Sequence, residues 1–578
     1  MQIKETPKVY DVIVVGSGAG GGMAVHELTK AGAEVLLLEA GQPYDPADPK
    51  YATQLKWSWE SPRRGAGTAL RPFGDFDASY GGWEIEGEPY TRKNNTKFDW
   101  FRSRMLGGRT NHWGRISLRF GPNDFKRKSI DGLGDDWPIT YDDIKPYYDR
   151  IDRLIGVFGS LEGMYNEPDG IFLPPPKPRL HELMLKKSAT NAGVKVIPSR
   201  LSILTKPIND ERGACFYCGQ CNRGCRAYAD FSSSSVLVKP ALKTGKLRVI
   251  NYAMVREVLA DEAGLATGVS YVNTRTLEEQ TVRGKIVVLA ASACESARLL
   301  LNSKSPRHPN GLANSSGMVG KYLQDSTGAS RGAIVPPLFN RKRYNEEGVG
   351  GTHVYSPWWL DNKNLDFPRG YHIEYGGGMG MPGYGYGFGI QDFNGHYPSR
   401  DGKQKAGGGY GLGLKDDYRF FFGSTIGMSG RGEAVAREDN YCEIDPNVVD
   451  KYGIPVLRFQ YQWSDYEVRQ AKHMQDTFEE IIHGMGGVPM GAKPGLDTQY
   501  GLSTPGSIIH EVGTVRMGHD PKTSPLNANC QAHEVKNLFV VDGGSFVSQA
   551  DKNPTWTILA LAMRAAEYIT QQKKQGDL

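Results

Sequence analysis

A chain of 578 residues is too long for one small domain and predicts two or more lobes around a large core. Hydrophobic residues make up 39% of the chain and charged residues 23%, which is typical of a globular protein, and a formal charge of +5 without basic runs between aromatic residues argues against nucleic acid as a partner. No apolar stretch has the length of a membrane span, so no transmembrane segment is expected.

Residues 11–41 have the pattern of a complete β-α-β unit. The runs 11–15 and 34–39 are short and mostly apolar, which is typical of parallel strands buried on both faces. Between them the glycine-rich sequence GSGAGG begins at Gly16 and leads into a helix. A strand, a glycine-rich turn, a helix and a second strand in this order predict a dinucleotide-binding fold.

The glycines and the acid of this unit have separate expected roles. Gly16 permits the tight turn, Gly18 lets the backbone approach a pyrophosphate, and Gly21 lets the helix pack closely on the strand. The amides at the start of the helix face the phosphate charge. Glu39 ends the second strand, where a carboxylate hydrogen-bonds an adenosine ribose, and its charge argues against a ligand with a 2'-phosphate.

Residues 104–114, RMLGGRTNHWG, combine the paired glycines Gly107 and Gly108 with a polar and aromatic tip, which suggests backbone lying close to a flat ligand. Together with GSGAGG and LLLEAG, this segment resembles the glucose-methanol-choline (GMC) flavoprotein oxidoreductases, in which a loop of this type packs on the isoalloxazine ring. The resemblance implies that the cofactor is FAD and that Gly107, Gly108 and Asn111 help to hold it.

His112 precedes Trp113. In some sugar-oxidising members of the same family, such as pyranose 2-oxidase, the histidine of a similar step is bonded covalently to the flavin 8α-methyl group, although Asn111 stands where that enzyme has threonine. Two interpretations remain open: a covalent bond between His112 and FAD, and a histidine that only forms a hydrogen bond nearby.

Four of the seven cysteines form a compact motif. Cys215, Cys218, Cys221 and Cys225 have the C-x2-C-x2-C-x3-C spacing of a bacterial ferredoxin, with Arg226 where the proline would stand. This spacing predicts an iron–sulfur cluster, either [4Fe-4S] or [3Fe-4S]. Zinc and disulfides remain alternatives, although two-residue separations make a tetrahedral zinc site awkward and would strain disulfide loops.

Residues 330–500 resemble the family least, as expected of the part that recognises the substrate. Residues 371–375, YHIEY, alternate like a strand, and a run of glycines with aromatic residues follows them. Glu374, Gln391 and Asp392 are the polar residues that we expect to bind sugar hydroxyls.

The segment 508–518, IIHEVGTVRMG, carries the most specific match to the family, followed by VVDGG and by Asn553-Pro554-Thr555 at the start of a helix. The resemblance implies that His510 stands over the flavin N5, that Asn553 is its catalytic partner, and that Asp542 and Thr555 contact FAD. A neutral imidazole can remove a hydroxyl proton. An amide cannot act as a base, but it can hold the same oxygen in line for hydride transfer.

The predicted fold is α/β with two lobes. Residues 1–50, 95–135, 230–325 and 505–578 are expected to form a discontinuous, Rossmann-like FAD-binding domain. Residues 51–94, 136–229 and 326–504 are expected to form a substrate domain with a large antiparallel sheet, with an iron–sulfur insert near 213–228.

Within the family, the cysteine motif and Asn553 resemble the large subunits of bacterial sugar and sugar-acid dehydrogenases of the glucoside 3-dehydrogenase, gluconate 2-dehydrogenase and fructose dehydrogenase types. The resemblance implies oxidation of a secondary ring hydroxyl, with C3 of a glucoside favoured. Electrons would pass through the cluster to a small accessory subunit and a cytochrome-type acceptor. The alternatives are an oxygen-using pyranose oxidase, a non-redox lyase and an electron-transfer module without its own substrate.

The first ten residues lack the apolar segment of a signal peptide, and the arginine pair 63–64 lies too deep for a twin-arginine signal. We therefore expect export to the periplasm as a folded complex on a partner's signal, with a cytoplasmic protein or a trimmed chain as the alternatives.

Overall fold

The computed structural model describes residues 8–51, 80–218, 221–341, 348–360, 364–377, 412 and 419–578. Its larger sheet has seven strands. Across the sheet they follow the order Ala253–Ala260, Ala266–Asn273, Glu279–Leu289, Val9–Val15, Val35–Leu38 and Leu247–Ile250, with Leu538–Val540 paired to Glu279–Leu289.

The centre of this sheet is the predicted β-α-β unit. Val9–Val15 pairs in parallel with Val35–Leu38 and with Glu279–Leu289, and the helix Ala19–Lys30 joins the first two strands. Val35–Leu38 is buried at all four positions, as expected of a parallel strand covered on both faces. The structure confirms the strand–helix–strand prediction, with ends that differ by one or two residues.

The second sheet has six strands, and all of its pairings are antiparallel. Its strands follow the order Val488–Pro489, Ser330–Ile334, Thr425–Gly432, Tyr371–Gly377, Val354–Ser356 and Ile197–Pro198. The predicted alternation of residues 371–375 is therefore a strand, at the centre of the antiparallel sheet.

Shorter ladders and the helices complete the described structure. The other strands are Tyr441–Val449 with Pro455–Gln460 and Thr91–Arg92, Gly81–Gly82 with Arg102–Ser103, and Val157–Phe158 with Phe172–Leu173. The α-helices are Ala19–Lys30, Arg127–Asp131, Tyr141–Ile155, Leu180–Asn191, Lys239–Lys243, Ala293–Asn302, Asp465–Gly484 and Thr555–Gln575.

Each sheet has its own apolar core. The core of the larger sheet includes Val14 and Leu37 and extends to the C-terminal helix through Trp556. The core of the antiparallel sheet packs on the helix Asp465–Gly484 through Met474 and Phe478. The structure thus confirms an α/β fold with two lobes.

The segment 324–327 passes between the two lobes. Gln324 pairs with Val512 on the side of the larger sheet, and Thr327 pairs with Gly432 of the antiparallel sheet. Residues of this segment are therefore placed to contact both lobes.

Among the described helices, none is long and apolar enough to span a bilayer.

Candidate active site

A large cavity opens where the parallel strands of the larger sheet end. Its empty volume, counted with the mouth, is about 1670 Å³. In an open α/β sheet, ligands bind beyond the carboxyl ends of the strands. The predicted site residues that line this cavity are Gly16, Gly18, Glu39, Gly108, His112, His510, Asp542, Asn553 and Thr555. The predicted site residues Gly21, Gly107, Asn111 and Glu374 do not line it.

The glycines of the β-α-β unit have different surroundings. A Cβ atom at Gly16 would lie 2.4 Å from the carbonyl oxygen of Ala290, and one at Gly21 would lie 1.9 Å from the carbonyl oxygen of Gly16. These two positions need glycine because backbone passes close to them. At Gly18, by contrast, a Cβ atom would meet no atom within 4 Å. This open backbone beside a helix N-terminus fits the pyrophosphate of FAD.

Two buried carboxylates flank the cavity. Glu39 accepts hydrogen bonds from the hydroxyl of Ser17 and from the backbone N–H of Gly41, at 2.8 Å for the latter. Asp542 accepts from the backbone N–H groups of Ser292 and Gly544, at 3.1 and 2.8 Å. Burial raises the pKa of Asp542 to about 6, against the effect of its hydrogen bonds.

The predicted flavin loop is held by its own polar side chains. Gly107 has a φ of 91°, a conformation that favours glycine. Asn111 Nδ2 donates to the carbonyl of Leu106 at 2.8 Å, and Asn111 Oδ1 accepts from the Ser234 hydroxyl at 2.9 Å. These hydrogen bonds of the Asn111 side chain therefore help to fix the conformation of the loop. His112 is buried, and its Nε2 lies 3.2 Å from the Ser103 hydroxyl. Its covalent bond to FAD stays a prediction.

Arg109 and Glu511 join the flavin loop (residues 104–114) to the segment 508–518 that contains His510, and neither residue was predicted to have a role. Arg109 Nη1 lies 2.6 Å from Glu511 Oε2. The Glu511 side chain is 1% exposed and that of Arg109 is 28% exposed, towards the cavity that both line. This ion pair fixes the residue next to His510 against the loop that contains His112.

His510 lies at the centre of a chain of hydrogen bonds. Its Nδ1 is 2.9 Å from the Ser326 hydroxyl, and its Nε2 is 3.3 Å from Asn553 Nδ2. Burial and the nearby Arg431 lower the pKa of His510 to about 3. The ring is therefore neutral at pH 7, the form that can accept a proton.

Glu374 stands directly behind Asn553. Its Oε1 is 3.3 Å from Asn553 Nδ2 and 3.2 Å from His372 Nε2, and its Oε2 is 3.7 Å from Arg431 Nη2. Burial opposes the charge of Glu374, yet Arg431 and His372 lower its pKa to about 2. The predicted contact of Glu374 with sugar hydroxyls stays a prediction, since in this structure its carboxylate is occupied by protein donors. Gln391 and Asp392 lie outside the described residues.

The backbone that carries His510 is anchored by Asp325. This carboxylate accepts from the backbone N–H groups of Gly506 and His510, at 2.8 and 2.9 Å. Ile509 has a φ of 66°, which is unusual for a β-branched residue. Such strain persists only where surrounding contacts over-determine the conformation, and here it sets the direction of the next side chain, that of His510.

Asn553 follows a fully buried lysine. Lys552 Nζ lies 2.6 Å from Asp551 Oδ1, 3.0 Å from Asp124 Oδ2 and 3.8 Å from Glu167 Oε2. Burial alone would lower the pKa of Lys552, but these carboxylates raise it above its usual value. Lys552 is thus held as a cation that ties the Asn553 segment to two distant parts of the chain.

The cysteine motif is only partly gathered. Cys215 packs against the same apolar clusters as Cys221 and Cys225, whereas Cys218 is exposed. Burial raises the pKa of Cys215 to about 11 and that of Cys221 to about 12. Within the described part of the chain, no three His, Cys, Asp or Glu side chains are grouped to hold a metal ion. In this structure the four cysteine side chains are therefore not grouped as ligands of an iron–sulfur cluster would be.

Several residues of the site were not predicted from the sequence: Ser17, Arg109, Ser326, His372, Arg431, Glu511 and Gln549. A sequence signal for Ser326 existed, because residues 317–326, GMVGKYLQDS, end in Asp325 and Ser326 and resemble a segment of the GMC family. Gln549 is 223 residues from Ser326, to whose hydroxyl it donates a hydrogen bond, and no local pattern marks it.

Comparisons with known proteins show the family of the chain. The GMC oxidoreductase family matches residues 10–327 and 436–562. The chain is 30% identical to 2-methyl-1,2-propanediol dehydrogenase of Mycolicibacterium austroafricanum over 97% of its own length and 95% of that protein. It is 26% identical to the fructose dehydrogenase large subunit of Gluconobacter japonicus, over 98% of both chains.

Among solved structures, a formate oxidase of Aspergillus oryzae RIB40, studied for its FAD modification, has the same fold. It superposes with a TM-score of 0.66 at 14% identity, over 99% of this chain and 100% of that chain. The family match covers more than half of the sequence and includes both the nucleotide cradle and the His510 segment. The protein therefore belongs to the GMC oxidoreductase family.

Proposed function

We propose that the protein is an FAD-dependent dehydrogenase that oxidises a secondary ring hydroxyl of a neutral sugar or glycoside, with C3 of a glucoside as the favoured position. The observation that carries this proposal is the pairing of His510 and Asn553, 3.3 Å apart in the wall of the cavity. A neutral base beside an amide donor can take the hydroxyl proton and hold the substrate oxygen, which is what alcohol oxidation needs from the protein.

The two side chains act on one oxygen atom. The substrate hydroxyl gives its proton to the imidazole of His510, while the Asn553 amide holds the oxygen as its negative charge develops. FAD, when bound, supplies the acceptor for the hydride that leaves the same carbon. The alcohol thus loses one proton and one hydride and becomes a carbonyl. Gly18, Glu39, Asp542 and Thr555 are the residues that would hold the cofactor.

The charges around His510 support a neutral substrate. Two arginines lie near His510, and each is paired with a carboxylate: Arg431 Nη2 lies 3.7 Å from Glu374 Oε2, and Arg109 Nη1 lies 2.6 Å from Glu511 Oε2. A sugar acid that bound either arginine would have to approach its carboxylate, and like charges repel in a buried site. The sugar-acid activity of the gluconate type is therefore disfavoured.

An anaerobic substrate panel tests the proposal. We expect methyl glucoside to bleach the oxidised flavin absorbance and to give a 3-keto product, identified by NMR after turnover with an artificial acceptor. Deoxy analogues at C2, C3 and C4 provide a matched series, in which only the 3-deoxy compound should fail. Oxidation at another carbon would refute the C3 assignment, and no bleaching by any sugar would refute the sugar dehydrogenase function.

A second candidate substrate is a small diol. It is favoured by the 30% identity to 2-methyl-1,2-propanediol dehydrogenase over almost the whole chain. The same base and amide would serve this substrate, since the reaction at the carbinol carbon is the same. Including 2-methyl-1,2-propanediol in the panel separates the two candidates, because the better substrate is the one with the larger ratio of flavin-reduction rate to dissociation constant.

We further propose an iron–sulfur cluster on the cysteine motif, a small accessory subunit with a cytochrome-type acceptor, and a periplasmic location reached on the partner's export signal. The support is the ferredoxin spacing of Cys215 to Cys225 and the similarity to a dehydrogenase large subunit. Iron and sulfide analysis of anaerobically purified protein tests the cluster, and stoichiometric zinc without iron would refute it. Cell fractionation with the accessory subunit present tests the location.

A further inference from the structure

The chain of hydrogen bonds through His510 runs across the boundary between the lobes. In order, it contains Gln549, Ser326, His510, Asn553 and Glu374, with heavy-atom distances of 3.1, 2.9, 3.3 and 3.3 Å. Apart from the neighbours Gln549 and Asn553, its members come from separate parts of the sequence. Because each hydrogen bond needs one donor and one acceptor, fixing the group at one end determines the others.

Glu374 fixes the first end. The charge of Arg431 and the hydrogen bond with His372 favour the ionised carboxylate, which can only accept hydrogen bonds. Its Oε1 lies 3.3 Å from the side-chain amide of Asn553. The opposite orientation of that amide would place its carbonyl oxygen against the carboxylate. Asn553 therefore directs its NH2 group towards Glu374.

The orientation of Asn553 then decides the state of His510. The second N–H of the amide points to His510 Nε2 at 3.3 Å, so Nε2 must be the acceptor and carries no proton. A neutral imidazole has one proton, which is therefore on Nδ1. Nδ1 lies 2.9 Å from the Ser326 hydroxyl, which can accept it.

Ser326 is itself held in place. Gln549 donates to its hydroxyl at 3.1 Å, while the Gln549 backbone N–H donates to Gln324 at 3.0 Å. Ser326 is 1% exposed and Gln549 is fully buried, so solvent does not compete for these hydrogen bonds. The hydroxyl thus has a fixed position beside Nδ1.

We propose that Ser326 and Glu374 are positioning residues that fix His510, through these hydrogen bonds, in the tautomer whose Nε2 accepts the substrate proton. The inference rests on the proposed function, since it names the residues that prepare the base of that reaction. The opposite tautomer would present an N–H group to the substrate hydroxyl and could not accept its proton.

Nuclear magnetic resonance tests the tautomer without any substrate. The FAD-bound protein is labelled with 15N in its histidines, and the ring signals that disappear in His510→Ala identify that residue. We expect wild type to show a protonated Nδ1 and an unprotonated Nε2. Ser326→Ala and Glu374→Gln should each give a mixture of tautomers, whereas Ser326→Thr, which keeps the hydroxyl, should restore the wild-type pattern.

Ser330→Ala is the matched control. Its hydroxyl is also hydrogen-bonded, to Ser429 at 2.9 Å, but it lies on the surface of the antiparallel sheet. This variant should leave the His510 signals unchanged. A wild-type tautomer with a protonated Nε2, or wild-type signals in both Ser326→Ala and Glu374→Gln, would overturn the inference.

Kinetics provide the second measurement. The anaerobic flavin-reduction rate should fall about tenfold in Ser326→Ala and about 10- to 100-fold in Glu374→Gln, with Ser326→Thr close to wild type. An unchanged flavin spectrum and melting temperature show that each variant is folded. If no alcohol reduces wild-type flavin, the proposed function fails while the tautomer measurement still decides the inference. If wild type is reduced and both variants match it, the inference alone fails.

Discussion

The catalytic chain around His510 and the cysteine segment 213–228 differ in how their members are brought together. Glu374 and Asn553 are 179 residues apart, and Ser326 and His510 are 184 apart, yet each pair is within hydrogen-bond distance. The four cysteines are within one short segment, yet Cys218 is exposed while Cys225 is buried. Nearness in sequence therefore did not produce a closed site, whereas packing of the two lobes did.

The physical reason lies in what holds each region. The catalytic residues are fixed by hydrogen bonds whose donors and acceptors are paired across the lobe boundary, so that each constrains the next. Cysteine side chains form only weak hydrogen bonds, and a metal or cluster, when present, is what draws thiolates together. The first region is a site made by the fold, and the second would be completed by what it binds.

The largest expected effect is that of His510→Ala. We expect the anaerobic flavin-reduction rate to fall by about 10²- to 10⁴-fold, because the group that takes the hydroxyl proton is lost while the nucleotide cradle is intact. Stopped-flow absorbance measures the rate, and the flavin content of the purified protein serves as the control.

Asn553→Ala should cost less than His510→Ala, because an amide holds the oxygen but takes no proton. If His510→Ala reduced flavin at the wild-type rate, the base would have to be another residue. The hydrogen-bonded chain around His510 would then not be the catalytic region in this comparison.

Arg109→Met tests whether the ion pair with Glu511 stabilises the packing of the flavin loop, residues 104–114, on the segment 508–518. The Glu511 carboxylate, 1% exposed, would lose its cation, and we expect the free energy of unfolding to fall by about 1–3 kcal/mol. Chemical denaturation of the FAD-bound protein measures this change.

The double variant Arg109→Met with Glu511→Gln removes the uncompensated charge and is the matched control. It should be more stable than Arg109→Met alone. Equal stability of Arg109→Met and wild type would show that the ion pair does not join the two loops.

Cys218→Ser should show that the cysteine segment and the chain around His510 function independently. We expect the variant to lose bound iron, while flavin reduction by substrate stays within about twofold of wild type, because the cysteine segment is not part of the catalytic chain. Metal analysis and stopped-flow absorbance on the same preparation test both parts. A large loss of flavin reduction would show that the segment supports the catalytic residues directly.

The smallest expected effect is that of pH on the flavin-reduction rate. Burial and Arg431 lower the pKa of His510 to about 3, so the neutral ring is already fully formed at pH 5. The flavin-reduction rate should therefore be constant from about pH 5 to pH 8 and should fall only as the ring is protonated nearer pH 3. A fall with a midpoint near pH 6.5 would show that the site does not lower the pKa of this histidine.

The sequence alone predicted the elements whose pattern is local. The buried strand predicted at 11–15, the glycine turn after it and the strand predicted from the alternation of residues 371–375 follow from burial on both faces, from backbone approach and from a period of two. The family segments also identified His510 and Asn553 as residues to examine, and the structure places both in one cavity.

Which side chains meet across the lobes was decided only by the tertiary structure. The strand pattern gives the face on which Glu374 lies, but its carboxylate meets Asn553 and His372 only because the antiparallel sheet packs against the larger one. The segment 324–327 carries Ser326 between the lobes for the same reason. Periodicity reports the direction of a side chain relative to its own element, whereas its partners depend on how distant elements pack.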